Sequence, residues 1–346
     1  MTAIYSVLHM FVDGVCAFAM FGTFLEREQG YAYVLIYNFC AFALQMPFGA
    51  VLDILNGKYR KDISFAAVCM GVALTLIGAF THPAVLGIGN ALFHIGGGVG
   101  VIYEDESKGW RGRGLGVFVA PGAFGLYLGT QLAKNGAGTG WMYGAGAVMA
   151  LACVWMACRL RRSKAAEHLF LGGTQTSSAQ NAALREIILL AACSLLVVIL
   201  RSYIGMAVTF TWKTTVFAAV ISTLAIVFGK AAGGFLAARF GFLRTAVISL
   251  AAAAVCYLLG GFMPVGVFAL FLFNMTMPIT LYLLIRKMPQ LPGFSFGFLT
   301  FGLFLGFLPV YFELRILQNY SIIGCAGSIV SLLILVAGIT GGKPDA

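Results

Sequence analysis

The chain has 346 residues, 60% of them hydrophobic and only 10% charged, with a formal net charge of +10 and a mean hydropathy of +0.94. Ordinary soluble domains carry about 25% charged residues. A chain this apolar cannot clothe itself in a polar surface, so a soluble globular domain is excluded and the solvent is lipid.

Runs of about 20 apolar residues cross a bilayer. Twelve can be placed, at 3–25, 31–52, 63–80, 84–103, 114–133, 141–158, 186–210, 214–238, 245–262, 264–285, 294–312 and 320–340. The expected fold class is an all-α integral membrane protein of twelve transmembrane helices. Segment one reads LHMFVDG, with His9 and Asp13 four residues apart and so on one helix face. Segment two carries Gln45 and runs into a charged loop at 49–62, GAVLDILNGKYRKD. Segment four reads ALFHIGGGVGVIY and contains His94. Segment five has glycines at 114, 116, 122, 125 and 129 plus Pro121. Small residues at that spacing let helix backbones approach in a bilayer, and proline bends the helix.

The longest polar stretch, 159–185, reads as a cytoplasmic linker. It divides the chain into an N-terminal bundle at 1–160, a linker at 161–184 and a C-terminal bundle at 185–346. Such halving suits two parallel repeats related by an axis along the membrane normal. The second half echoes the first. Segment seven has LRSYIGM with Arg201, segment eight carries Lys230, and segment ten has LFLFNMTMPITLY with Asn274 against His94. FGLFLG at 301–306 repeats FGLYLG at 124–129. The loop at 49–62 returns about 185 residues later as GGFLAARFGFLRT at 233–245. Both loops place glycines where an incoming helix must pack closely and turn, and cations where the next helix begins.

These paired loops resemble the signature loop of the major facilitator superfamily of secondary transporters, roughly G-x-L-A-D-R-x-G-R-K, found between the second and third helices of each six-helix half. The first copy offers Gly49, Asp53, Gly57 and Arg60, with one extra residue before Gly57; the second offers Gly234, Arg239, Gly241 and Arg244, with Ala238 in the acid's place. The glycine-rich segment five is similar to the family's fifth helix, associated with antiporters. LHMFVDG, ALFHIGGG and Arg201 resemble the fosmidomycin-resistance-type exporters, although Ile95-Gly96 stands where Pro-Glu is expected and Asn90 near the place of the fourth-helix arginine. The resemblance implies that helices one, four, seven and ten line a central cavity. It also implies that these loops are conformational latches, with the Asp53 carboxylate at a helix N-terminus of the other half, holding the inner side closed.

The cations sort by side. Lys58, Arg60, Lys61, Lys108, Arg111, Arg113, Arg159, Arg161, Arg162, Lys164, Arg185, Arg239, Arg244, Arg286 and Lys287 fall in loops on one side, and only Arg27, Lys134, Lys213 and Arg315 on the other. By the positive-inside rule this sets both termini in the cytoplasm, in a multi-pass protein of the cytoplasmic (inner) membrane. The basic balance is therefore topology and not a nucleic-acid partner. No cleavable signal peptide is expected, because the first apolar run begins at once without a basic leader. All eight cysteines fall in apolar runs without a CxxC pair, so neither disulfide nor metal is expected of them.

Ionisable groups inside hydrocarbon cost about 2.5–3.5 kcal/mol each on insertion scales, so they usually face a cavity and act there. His9, Asp13, His94, Arg201 and Lys230 are that short list, with Gln45 and Asn274 as polar companions; Lys230 can snorkel to the cytoplasmic end. A carboxyl in such a cavity is driven toward its neutral form, and a nearby guanidinium draws it back to the anion. Asp13, with His9 and His94, is thus the expected proton-coupling set. Arg201, Asp13, His94, Asn274 and Gln45 are the expected substrate contacts. Cations outnumber acids there, favouring an anionic or amphipathic organic substrate. No GxxxxGK[ST] motif is present, so ATP is not the direct driver. The leading expectation is a non-enzymatic, cofactor-free, monomeric transporter exporting a small molecule against proton entry, without a resident metal. Proton-coupled uptake is the alternative. A divalent-metal carrier using His9, Asp13, Met275 and Met277, and an intramembrane enzyme using the histidines with Asp13, are the other classes.

Overall fold

The computed structural model describes residues 1–59, 63–162, 177–314 and 320–341, and no strand occurs among them. Helix is the form in which a single segment satisfies all its own backbone groups in lipid. Among the described residues ten helices are long and apolar enough to cross a membrane: α1 (Thr2–Phe24), α2 (Gly30–Lys58), α4 (Pro83–Ser107), α5 (Arg113–Lys134), α6 (Gly140–Arg159), α7 (Leu184–Ala207), α8 (Val216–Phe240), α10 (Met263–Lys287), α11 (Pro292–Tyr311) and α12 (Tyr320–Thr340). Two shorter apolar helices, α3 (Ser64–Phe80) and α9 (Phe242–Leu258), have 17 residues each. Of the expected linker, residues 163–176 lie outside the described residues. Its flanks are helical, to Arg162 and again from Ser177.

The chain forms two compact units. One comprises Met1–Gly109, Val117–Leu169 and Leu291–Gly297; the other comprises Trp110–Gly116, Phe170–Gln290 and Phe298–Ala346. In the first, the glycines of α5 serve as a contact strip for α1. A Cβ on Gly125 would strike the Met10 carbonyl, one on Gly129 the Gly14 carbonyl, and Gly14 packs back on Gly125. Backbones this close gain dispersion contacts that larger side chains would hold apart. Gly125→Leu should therefore cost about 1–3 kcal/mol or more by overpacking. The check is a melting curve in detergent; an unchanged midpoint would show that α1 and α5 are not so closely packed.

Helix α5 breaks at Ala120, between Arg113–Val119 and Pro121–Lys134. Pro121 has no N–H to continue the ladder, so carbonyls in the turn before it lack helical partners. That local defect helps to build the site described below. Helix α10 is also interrupted, at Met275, between Met263–Asn274 and Thr276–Lys287. In the second unit, Gly229 and Gly233 of α8 seat against the carbonyls of Phe271 and Met275 of α10. Tyr257, Phe210 and Phe273 fill the core beside them.

The two signature loops differ. In the second copy Gly241 has φ +98°, ends α8 and makes the turn. In the first copy the expected turn at Gly57 does not occur: the helix runs through it to Tyr59, and among the described residues nothing outside that stretch of helix lies within 4 Å of where a Cβ on Gly57 would stand. Asn56, one residue earlier, accepts at Oδ1 from the Ile63 N–H at 2.9 Å and donates from Nδ2 to the Tyr103 hydroxyl at 3.3 Å. Arg60 lies outside the described residues.

Candidate functional site

In the first unit, His9, Asp13 and His94 meet. His9 Nε2 lies 3.1 Å from Asp13 Oδ2, and His94 Nε2 lies 3.7 Å from Asp13 Oδ1. The two Nε2 atoms are 2.8 Å apart. Behind each ring, Nδ1 faces a backbone carbonyl: His9 the Phe118 oxygen at 2.7 Å, and His94 the Asn90 oxygen at 2.8 Å. The Phe118 carbonyl belongs to the turn before the α5 break, so the proline defect supplies the acceptor that orients His9. Asn90 Nδ2 donates to Asp13 Oδ1 at 3.1 Å and to Cys16 Sγ at 3.6 Å. The Tyr37 hydroxyl hydrogen-bonds the same thiol. The histidine side chains are 6% and 10% exposed, whereas that of Asp13 is 21% exposed, so the carboxylate is the open edge of the cluster.

Gly122 roofs the cluster. A Cβ there would overlap His9 Nε2 and Asp13 Oδ2, so the absent side chain is the space that the ion pair occupies. The three ligand atoms lie within 4.8 Å of one another, a set that could in principle hold a metal. Tetrahedral zinc, with Zn–N bonds of about 2.0–2.1 Å, would put its two nitrogens about 3.3 Å apart. The observed 2.8 Å suits an N–H···N hydrogen bond instead.

Arg201 lies in α7 in the second unit and is 8% exposed. Its Nε is buried without a hydrogen-bond partner, and no carboxylate pairs with it among the described residues. Asn274 Nδ2 donates to its own helix at Leu270. Gln45, expected as a substrate contact, is fully buried. Its Nε2 donates to the Ala41 carbonyl, and its backbone packs against Gly297.

A second polar arrangement forms around Asp53. Its Oδ1 accepts from the Gly293 N–H at 2.8 Å and its Oδ2 from the Phe294 N–H at 2.7 Å, at the N-terminus of α11. Helix N-termini present unpaired N–H groups and a positive dipole end, so a carboxylate is stabilised there. Gly49 and Gly293 make room for it: a Cβ on Gly293 would lie 2.6 Å from the Gly49 oxygen and 2.9 Å from Asp53 Oδ1. In the second unit Gly234 packs likewise on the Gly112 carbonyl and on Gly116, but Ala238 is a buried methyl with no charge to offer. Asp53→Ala should cost about 0.5–2 kcal/mol, as loss of a helix cap does. Ala238→Ser in the other copy should be close to neutral. Thermal melts of the two variants decide it, and equal effects would remove the cap from the account.

Sequence reasoning noted Asn90 only as a departure from a motif. Its position four residues before His94, on the same face, was the signal that it belongs to the cluster. Gly122, Tyr37 and the Phe118 carbonyl carried no such signal.

No family model matches the chain, and no curated protein is similar to it in sequence. Solved structures are. The Escherichia coli fucose:proton symporter FucP superposes with a TM-score of 0.62 at 13% identity, covering 99% of this chain and 98% of that one. FucP in its outward conformation gives 0.62 at 14%, covering 99% and 100%. The human organic anion transporter MFSD10 (TETRAN) gives 0.61 at 14%, covering 96% and 99%. The fold is that of the major facilitator superfamily transporters. Ten described helices long and apolar enough to cross a membrane, together with this fold, make the chain a multi-pass membrane protein, and the three neighbours named are transporters. The narrower resemblance to fosmidomycin-resistance-type exporters rests on the three sequence stretches alone.

Proposed function

We propose that this protein is a secondary transporter that moves a small organic anion by alternating access, coupled to protons and working in the direction of export. The observation that carries this reading is Arg201, a guanidinium held in the interior of a membrane protein with no carboxylate beside it among the described residues. An unpaired buried charge is costly, and a mobile anion is what removes that cost. His9, Asp13 and His94 supply the proton-handling group, and the Asp53 cap on α11 supplies the latch that must open in each cycle. Two fold neighbours, one named a fucose:proton symporter and the other an organic anion transporter, are consistent with both halves of this reading.

The test begins with a thermal-shift screen of small organic anions and neutral analogues on purified protein. The best hit is then followed as flux into proteoliposomes under an imposed pH gradient. Anions should stabilise selectively, and the gradient should drive their movement. Equal stabilisation by neutral analogues, or flux indifferent to the gradient, would remove the anion or the proton from the reading respectively.

A further inference from the structure

The protonation pattern of the histidine cluster can be worked out from its acceptors. A carbonyl oxygen only accepts, so the carbonyls of Phe118 and Asn90 require a hydrogen on Nδ1 of His9 and of His94. A neutral ring protonated at Nδ1 has a bare lone pair at Nε2. If both rings were neutral, two lone pairs would face each other across 2.8 Å, with a carboxylate oxygen 3.1 Å from one of them. Three electron-rich faces cannot converge in this way with nothing between them. A single added proton resolves the arrangement: Nε2–H of one ring donates to the other, and Asp13 balances the resulting imidazolium.

We infer that His9 and His94 share one bound proton between their Nε2 atoms, with Asp13 as its counter-anion, so that the imidazole pair and not the carboxylate is the proton carrier. The inference rests on the proton-coupled reading above and names the seat of that proton. Loaded, the cluster sums to zero charge. On release the proton leaves Nε2 for water at the partly exposed Asp13 edge, giving two neutral rings, one carboxylate and a charge of −1. The emptied cluster cannot keep the present geometry, because its lone pairs would then repel, and one ring has to turn away from the other. Loss of the proton is thus tied to a side-chain movement between α1 and α4. Also packed on the cluster are Cys16 from α1, Tyr37 from α2, Asn90 and Phe93 from α4, and Phe118 and Gly122 from α5. None of them brings a second formal charge.

The experiment uses the full chain, labelled with nitrogen-15 histidine, in lipid nanodiscs without substrate. At about pH 8, where free imidazoles are neutral, the nitrogen spectrum should retain one imidazolium-type pair. His9→Gln or His94→Gln should remove it, and His82→Gln should leave it. Infrared difference spectra against Asp13→Asn should show a carboxylate band at that pH and on acidification. This second measurement does not depend on either histidine variant folding. Two neutral rings with bare Nε2 atoms, or an Asp13 carboxylic-acid C=O stretch, would overturn the inference. So would one equivalent of added Co²⁺ bound with a tetrahedral absorption spectrum that needs both histidines, since that would make the cluster a metal site. A proton seated as described in a protein that moves no anion would refute the transport reading and leave this one standing.

Discussion

Arg201→Met is expected to abolish transport of anionic substrates while leaving the empty protein at least as stable as the wild type. The two effects pull in opposite directions if, as proposed, the guanidinium serves a ligand. In the empty protein it is a buried charge with no carboxylate partner among the described residues. Exchanging buried ionic groups for apolar side chains of similar volume is often neutral or stabilising by about 1–4 kcal/mol. With an anion bound, each charge-assisted hydrogen bond contributes about 1.5–3 kcal/mol. Loss of a bidentate pair should therefore weaken binding by about a hundredfold or more, at about 1.4 kcal/mol per factor of ten. Arg201→Lys should fall between, since an ammonium keeps the charge but not the planar fork. Melting curves with and without the screened anion measure both parts at once. A strongly lowered melting point without ligand would mean that Arg201 is a structural ion in the resting fold, and the anion reading would lose its support.

Much of the fold was legible because lipid imposes length and periodicity. The apolar runs at 84–103 and 264–285 reappear as α4 and α10, and the two repeated loops fall one in each compact unit. Boundaries were less legible where helices run on into water. Segment seven was expected from 186, yet the helix begins at Ser177, because nothing in SSAQNAALRE stops a helix. The turn expected at Gly57 failed for a related reason: a glycine marks a turn only when the chain needs a positive φ, as at Gly241 and not at Gly57. At the site, the spacing of His9 and Asp13 gave one face of α1, and their depth marked them as costly. What the sequence could not carry was partnership across helices. That the Phe118 carbonyl orients His9 depends on how the Pro121 break aligns with α1. That Gly122 is the roof depends on where α5 crosses it, and Gly125 and Gly129 look no different in the sequence.

Asp13→Asn should abolish gradient-driven transport, by about a hundredfold or more, while substrate exchange without a gradient survives in part. The amide keeps the volume and can still accept from Asn90, so the cluster's packing should persist and the fold with it. What it loses is the negative charge opposite the imidazole pair, and removing one partner of a buried pair costs about 3–5 kcal/mol. Without that counter-charge the buried imidazolium is disfavoured, so the rings no longer load the shared proton that drives the cycle. Gly122→Ala supplies an independent route to the same phenotype without touching a charge. Its new methyl would occupy the space of His9 Nε2 and Asp13 Oδ2 and force the pair apart. If the three-residue cluster is the coupling device, both variants lose pumping and retain exchange. If Asp13 merely neutralises His9 in a static network, Asp13→Asn should leave the pumping by the remaining folded protein intact. Flux measured per folded molecule, with and without a pH gradient, separates these outcomes, and undiminished pumping in Asp13→Asn removes the carboxylate from the mechanism.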